Sequence, residues 1–98
     1  MNIIVIIPSP LRNLTNEERK VNIELDDESS SVQNVILALN NLYPGILNKV
    51  LDNDNQLHKY VNIFIDGEDI RYLDGINTQV NDNDELSIVP AVAGGSIG

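Results

Sequence analysis

From Asn2 to Ile7 the chain is an almost unbroken β-branched run, stopped by Pro8-Ser9-Pro10. It is too short for a helix and predicts a strand buried on both faces, hence the centre of a sheet. Leu11 to Glu18 is polar and predicts a loop. Val21-Asn22-Ile23-Glu24-Leu25 alternates apolar and polar positions with a period of two, the pattern of a half-buried strand that could pair with the first as a hairpin. Asp26 to Ser30 breaks that period. Ser30 and Gln33 have capping-box spacing, and the acidic residues before them suit a helix N-terminus. Val32, Val35, Ile36, Leu39 and Leu42 then recur at helical spacing. Pro44-Gly45 ends that helix, and Ile46, Leu47, Val50 and Leu51 predict a further short turn.

Val61-Asn62-Ile63-Phe64-Ile65 predicts the third strand, with Asp66-Gly67 as a tight turn after it. Glu68 to Leu73 predicts a short returning strand, and Asp74-Gly75 a further turn. Ile76 to Val80 is ambiguous. Glu85-Leu86-Ser87-Ile88-Val89 is the last strand, closed by Pro90. One amphipathic helix on one mixed sheet is an α+β two-layer arrangement. The order strand, strand, helix, strand, short strand, strand is that of the β-grasp, or ubiquitin-like, fold. Residues 1–90 form the predicted domain, and residues 91–98 a flexible C-terminal tail.

The tail carries the strongest signal. Leu86-Ser87-Ile88-Val89-Pro90-Ala91-Val92-Ala93-Gly94-Gly95 resembles the C-terminal signature of the ubiquitin-like sulfur carriers of the ThiS and MoaD type. Leu57 to Ile65, Asp69-Ile70-Arg71 and the acidic turn before the last strand most resemble the carriers of the thiocarboxylate-dependent cysteine-synthesis route. Weaker similarity runs through Asn2 to Arg12 and the helix. The physics of the arm stands apart from the family. Two glycines lack Cβ atoms and can thread a narrow cleft. Ala91 to Gly95, fully extended, reach roughly 17 Å beyond the last strand.

The resemblance implies the chemistry. An E1-like adenylyltransferase would use ATP and magnesium to form an acyl-adenylate at the Gly95 carboxylate. A sulfur donor then replaces AMP, leaving a thiocarboxylate for a sulfur-acceptor biosynthetic enzyme. On this reading the chain binds no cofactor and is not itself an enzyme. The acceptor pathway is cysteine or a related thio-metabolite, with thiamine and molybdopterin as the other choices. Family members commonly end at the second glycine, whereas this chain continues with Ser96-Ile97-Gly98. While that tripeptide is attached, the Gly95 carbonyl is an amide, so removal by a processing metalloprotease of the deubiquitinase type is expected.

Composition narrows the alternatives. In 98 residues there is no cysteine and one histidine, His58, which argues against disulfides, cysteine-based zinc sites and a cysteine nucleophile. Asp52-Asn53-Asp54-Asn55 and Asp82-Asn83-Asp84-Glu85 lack the glycine and glutamate that a calcium loop requires, and predict turns. Fifteen acidic against six basic residues give a net charge of −9. That surface disfavours nucleic acid and anionic membranes. It favours solubility and, more sharply, steering toward a basic partner. The apolar N-terminus has no basic leader and is too short to span a bilayer, so a cytoplasmic location is expected.

The partner-facing side of the sheet is open at this point. Val61, Ile63 and Ile65 share one face of the third strand, Asn62 and Phe64 the other. If the former meets the helix, Phe64 and Val89 form a docking patch, with Arg71 available to an acidic partner group. Otherwise Phe64 is core and Arg71 a solvated charge. Two other functions compete with sulfur carriage: a ubiquitin-like modifier conjugated through Gly95, and a non-covalent β-grasp interaction module in which the tail is passive.

Overall fold

The computed structural model describes residues 1–27 and 29–90. Five strands form one mixed sheet: β1 (Asn2–Ile6), β2 (Lys20–Glu24), β4 (Val61–Ile65), β5 (Glu68–Asp69) and β7 (Glu85–Pro90), in the spatial order β2-β1-β7-β4-β5. β1 and β7 run parallel, and every other pair in this sheet is antiparallel. The helix α1 (Val32–Leu42) lies on one face, and the short α2 (Ile46–Val50) follows it. This is the β-grasp fold read from the sequence.

Side-chain parity divides the sheet. Ile3 and Val5, Val21 and Ile23, Ile63 and Ile65, and Leu86 and Ile88 point to the face covered by α1, and all are buried. Val32, Val35, Ile36 and Leu39 of α1 meet them with no exposed surface. Paired residues across a ladder share a face, so the register between β4 and β7 (Ile63 with Ile88, Ile65 with Leu86) locks the apolar set inward.

Several elements depart from the sequence pattern. β7, not β1, occupies the middle of the strand order, and β1 alternates between buried and half-buried residues. Among the described residues helices cover one face only, so the half-buried Ile4 and Ile6 have no second layer over them. Leu11 to Glu18 is no plain loop, because Ser9–Leu14 is a 3₁₀ helix with Pro10 in its first turn. The buried Thr15 closes it by donating its hydroxyl to the Glu18 carbonyl at 3.0 Å. Leu42 is 58% exposed, outside the core stripe. Glu68 to Leu73 is a two-residue strand followed by a 3₁₀ turn, Ile70–Tyr72. The ambiguous segment supplies a 3₁₀ turn, Gly75–Asn77, and β6 (Gln79–Val80).

β6 pairs with β3 (Ser30–Ser31), a small ribbon apart from the main sheet. That ribbon moves the helix cap. Pairing holds the backbone extended through Ser31, and the Val32 N–H donates to the Thr78 carbonyl. Ser31, not Ser30, is therefore the N-cap, its hydroxyl accepting from the Asn34 N–H at 3.3 Å. At the other end Gly45 takes φ +105°, a conformation side chains disfavour. The Asn40 carboxamide oxygen accepts from the Gly45 and Leu47 N–H groups and ties α1 to α2.

The turns at the start of β7 and the end of β4 interlock. The Asp66 carboxylate accepts from the Glu85 N–H, and the Asp66 N–H donates back to the Glu85 carbonyl. Asp84 accepts from the Asn81 N–H at 2.8 Å. Burial, with hydrogen bonding to Asp66 and that residue's charge behind it, pushes the Asp84 carboxyl above the usual carboxylate range, against the pull of the Asn81 N–H.

Two outcomes follow. Ser31→Ala lowers stability by about 1 kcal/mol in urea titration, and Ser30→Ala costs clearly less. Because Asp84 holds its proton more tightly when folded, its contribution is present below the ordinary carboxylate pKa and lost as pH rises through the folded value. Asp84→Asn removes that dependence, so its stability gain over wild type is near zero at pH 3.5 and largest at pH 7, measured by urea titration at both.

Candidate functional site

The tail residues Ala91, Val92, Ala93, Gly94 and Gly95 lie outside the described residues, so the structure bears on the site through the point from which the arm departs. Pro90 ends β7 and stands opposite Val61, the first residue of β4. β1 runs parallel to β7, so its end and Pro8 lie at the same end of the sheet as Pro90. An apolar cavity of about 150 Å³ opens there, lined by Pro8, Pro10, Leu11, Tyr60, Val61 and Pro90 among others.

The face of the sheet away from α1 is uncovered by any element among the described residues. Phe64 is on that face, opposite Ser87, and is half-buried and outside the core. Val89, 37% exposed, lies opposite Asn62. Ile4 and Ile6 share this face, because Ile6 pairs with Ser87. Four apolar side chains thus line the open side of β1, β7 and β4. Parity had singled out Phe64 and Val89. Ile4 and Ile6 were hidden because an unbroken apolar run reads as buried on both sides.

Arg71 joins this region through the main chain. Its guanidinium donates to the Val61 carbonyl at 3.1 Å, and its N–H is held by the Asp69 carboxylate at 2.9 Å. The cation therefore stands by the residue that pairs with Pro90. Beside it, the buried Oδ1 of Asn62 has no hydrogen-bond partner among the described residues. An unsatisfied buried acceptor costs stability.

The basic residues gather at one end of the strands, where Glu17 and Glu18 share a hollow with three of them. Arg12 donates from Nε to the Ile7 carbonyl, the Arg19 carbonyl accepts from Ile7, and Lys20 pairs with Ile6. Lys59 places its ammonium 5.1 Å from the centre of the Tyr60 ring. With Arg71, five of the six lysines and arginines sit at the end where β7 stops; Lys49, on α2, is the sixth. Glu24, Asp26, Asp27, Asp66, Asp84 and Glu85 gather at the opposite end, where β2 and β4 finish and β7 begins. The net charge of −9 is therefore not a uniform acidic coat. No sequence window shows this, since the cations come from four separate segments.

The remaining candidates fall away as chemistry. Asp52 accepts the N–H groups of Asp54 and Gln56 through one oxygen, which makes its segment a turn. No cluster of three His, Asp or Glu side chains suited to a metal occurs among the described residues. No helix there is long and apolar enough to cross a membrane.

Residues 5–95 match the ThiS family. The sulfur carrier protein CysO of Mycobacterium tuberculosis is 37% identical over 97 residues, covering 97% of this chain and all of its own. A putative sulfur carrier protein of Archaeoglobus fulgidus is 40% identical over 73 residues, 74% of this chain and 83% of its own. Among solved structures, a chain of the Amycolatopsis orientalis BexX/CysO complex superposes with a TM-score of 0.83 at 33% identity, covering 94% of this chain and 98% of that one.

If Phe64 belongs to an uncovered face, truncating it should cost less than truncating its core neighbour. Ile63→Ala is expected to lose about 2 to 5 kcal/mol in urea titration, and Phe64→Ala less than about half of that.

Proposed function

This chain belongs to the ThiS family, and from that premise we propose that it works as a sulfur-carrier protein whose reactive group is the carboxylate of Gly95. The observation that carries the reading is where the family match stops. It runs through the last strand and Pro90 and ends on Gly95, leaving Ser96-Ile97-Gly98 outside it. A match that ended with the folded domain would have favoured a passive tail.

In the proposed cycle a protease first hydrolyses the Gly95–Ser96 bond, releasing the tripeptide and freeing the carboxylate. The carboxylate attacks the α-phosphorus of ATP in the site of an E1-like adenylyltransferase, with magnesium held by that enzyme. Pyrophosphate leaves and the acyl-adenylate forms. Hydrosulfide supplied by a donor attacks the acyl carbon, AMP leaves, and loss of the S–H proton gives the thiocarboxylate. Its sulfur attacks an electrophilic acceptor bound to a biosynthetic enzyme, and hydrolysis of the resulting acyl bond returns the carboxylate. The proposed acceptor pathway is that to cysteine or a related thio-metabolite, a reading supported by the 37% identity to the sulfur carrier protein CysO.

The domain contributes no acid, base or metal ligand to these steps. It presents the arm and a surface that partner enzymes recognise. The uncovered face bearing the half-buried Ile4, Ile6 and Phe64 and the exposed Val89 supports that role, since a partly exposed apolar face is suited to protein contact. Glycine at positions 94 and 95 lets the arm enter a cleft too narrow for a Cβ.

Intact mass spectrometry of the natively expressed chain tests the proposal. The expected species ends at Gly95 and carries, in part, the added mass of one oxygen replaced by sulfur. Deleting Gly94 and Gly95 should abolish that species while the domain stays folded. Retention of all three terminal residues in every molecule, or covalent ladders on other proteins with no thiocarboxylate, would overturn it.

A further inference from the structure

We propose that the end of the sheet from which the arm departs is a docking surface for an acidic segment of a partner protein, one that presents an aliphatic side chain flanked by carboxylates. The inference rests on the carrier reading for its purpose, but on separate observations for its substance.

The first observation is the cavity beside Pro90. Its walls are prolines, Leu11, Val61 and the Tyr60 ring, so nothing within it rewards a polar guest. An apolar cavity of about 150 Å³ is large enough for a guest the size of benzene, and hence for one aliphatic side chain.

The second is the rim. Lys59 sits over the Tyr60 ring, Arg71 on the carbonyl of Val61, and Arg12 on the carbonyl of Ile7 beside Pro8. Three cations are thus fixed on, or next to, residues that line the cavity. Main-chain carbonyls and an aromatic face hold them, and those contacts bring no negative charge with them. Guanidinium groups keep further N–H donors free, in a geometry suited to carboxylates. Glu17 and Glu18 share a neighbouring hollow with Arg12, Arg19 and Lys20 and offset part of the charge on that side. Lys59 and Arg71 stand apart from that hollow.

The third is the contrast with the rest of the molecule. A protein of net charge −9 repels an acidic partner almost everywhere else. Charge complementarity therefore selects orientation as well as contact: an acidic partner approaching this chain is turned away from the far end and admitted at the arm. A basic partner, the expectation from net charge alone, would instead settle at the end of the strands away from Pro90.

The test uses the full-length ¹⁵N-labelled chain and three blocked synthetic peptides, Glu-Asp-Leu-Asp-Glu, Gln-Asn-Leu-Asn-Gln and Lys-Lys-Leu-Lys-Lys, titrated by NMR at about 20 mM salt. The acidic peptide is expected to shift the amides of Leu11, Tyr60, Val61 and Ile88, and to bind at least about tenfold more tightly than the other two. Raising salt to about 200 mM should weaken it about tenfold, as expected for contacts made near the surface. The double variant Lys59→Glu/Arg71→Glu should abolish binding with spectral dispersion intact, and Lys49→Glu should leave it near wild type. Equal binding of the neutral peptide, shifts confined to the acidic end, or no shifts at all would overturn the proposal. Gly95 takes no part in this titration. A negative result therefore removes the docking surface and leaves the carrier reading standing, and a missing thiocarboxylate with a positive titration does the reverse.

Discussion

The pairing of β1 with β7 is the constraint on which the rest of this structure depends. Val5 beside Leu86 and Ile6 beside Ser87, in parallel, bring the first and last strands of the domain into contact. Parallel strands cannot be joined by a tight turn, so everything between them must cross over, and α1 does so on one face. The same pairing makes β7 an interior strand, hydrogen-bonded on both sides, with Leu86 and Ile88 buried. The strand that leads to the arm is thus among the best anchored in the fold.

That anchoring fixes where chemistry can happen. Because β1 and β7 point the same way, the chain leaves β7 beside Pro8 and Val61, at the end where five cations collect. A carrier must show its partners both an identity and a reactive end. Here the identity features (the apolar open face, the cavity and the cationic rim) all border the strand terminus.

Much of this was legible in the sequence. Period-two alternation gave β2 and β4, and helical spacing gave α1 and its core side, because those patterns follow from burial on one face. Parity grouped Asn62 with Phe64 against Val61, Ile63 and Ile65, but which set met the helix was settled only by the folded sheet. What was not legible depends on contacts between distant segments. Ser30 looked like the helix cap until Gln79-Val80 paired with it and moved the cap to Ser31. The apolar run of β1 could not say whether Ile4 and Ile6 were covered by another layer or by adjacent side chains. The cavity draws on Pro8, Tyr60 and Pro90, which only the folded sheet brings together.

The separation of cations from carboxylates along the strands has a consequence for motion in solution. A strand of five or six residues is roughly 17 to 20 Å long, about twice the screening distance at physiological salt. Each end is therefore felt almost independently by whatever lies nearest, and the domain behaves as a small electric dipole. A charged wall exerts on such a body a torque as well as a net force. Near a negative wall the molecule as a whole is pushed off, yet while it lingers it swivels so that the end at which β7 stops leads.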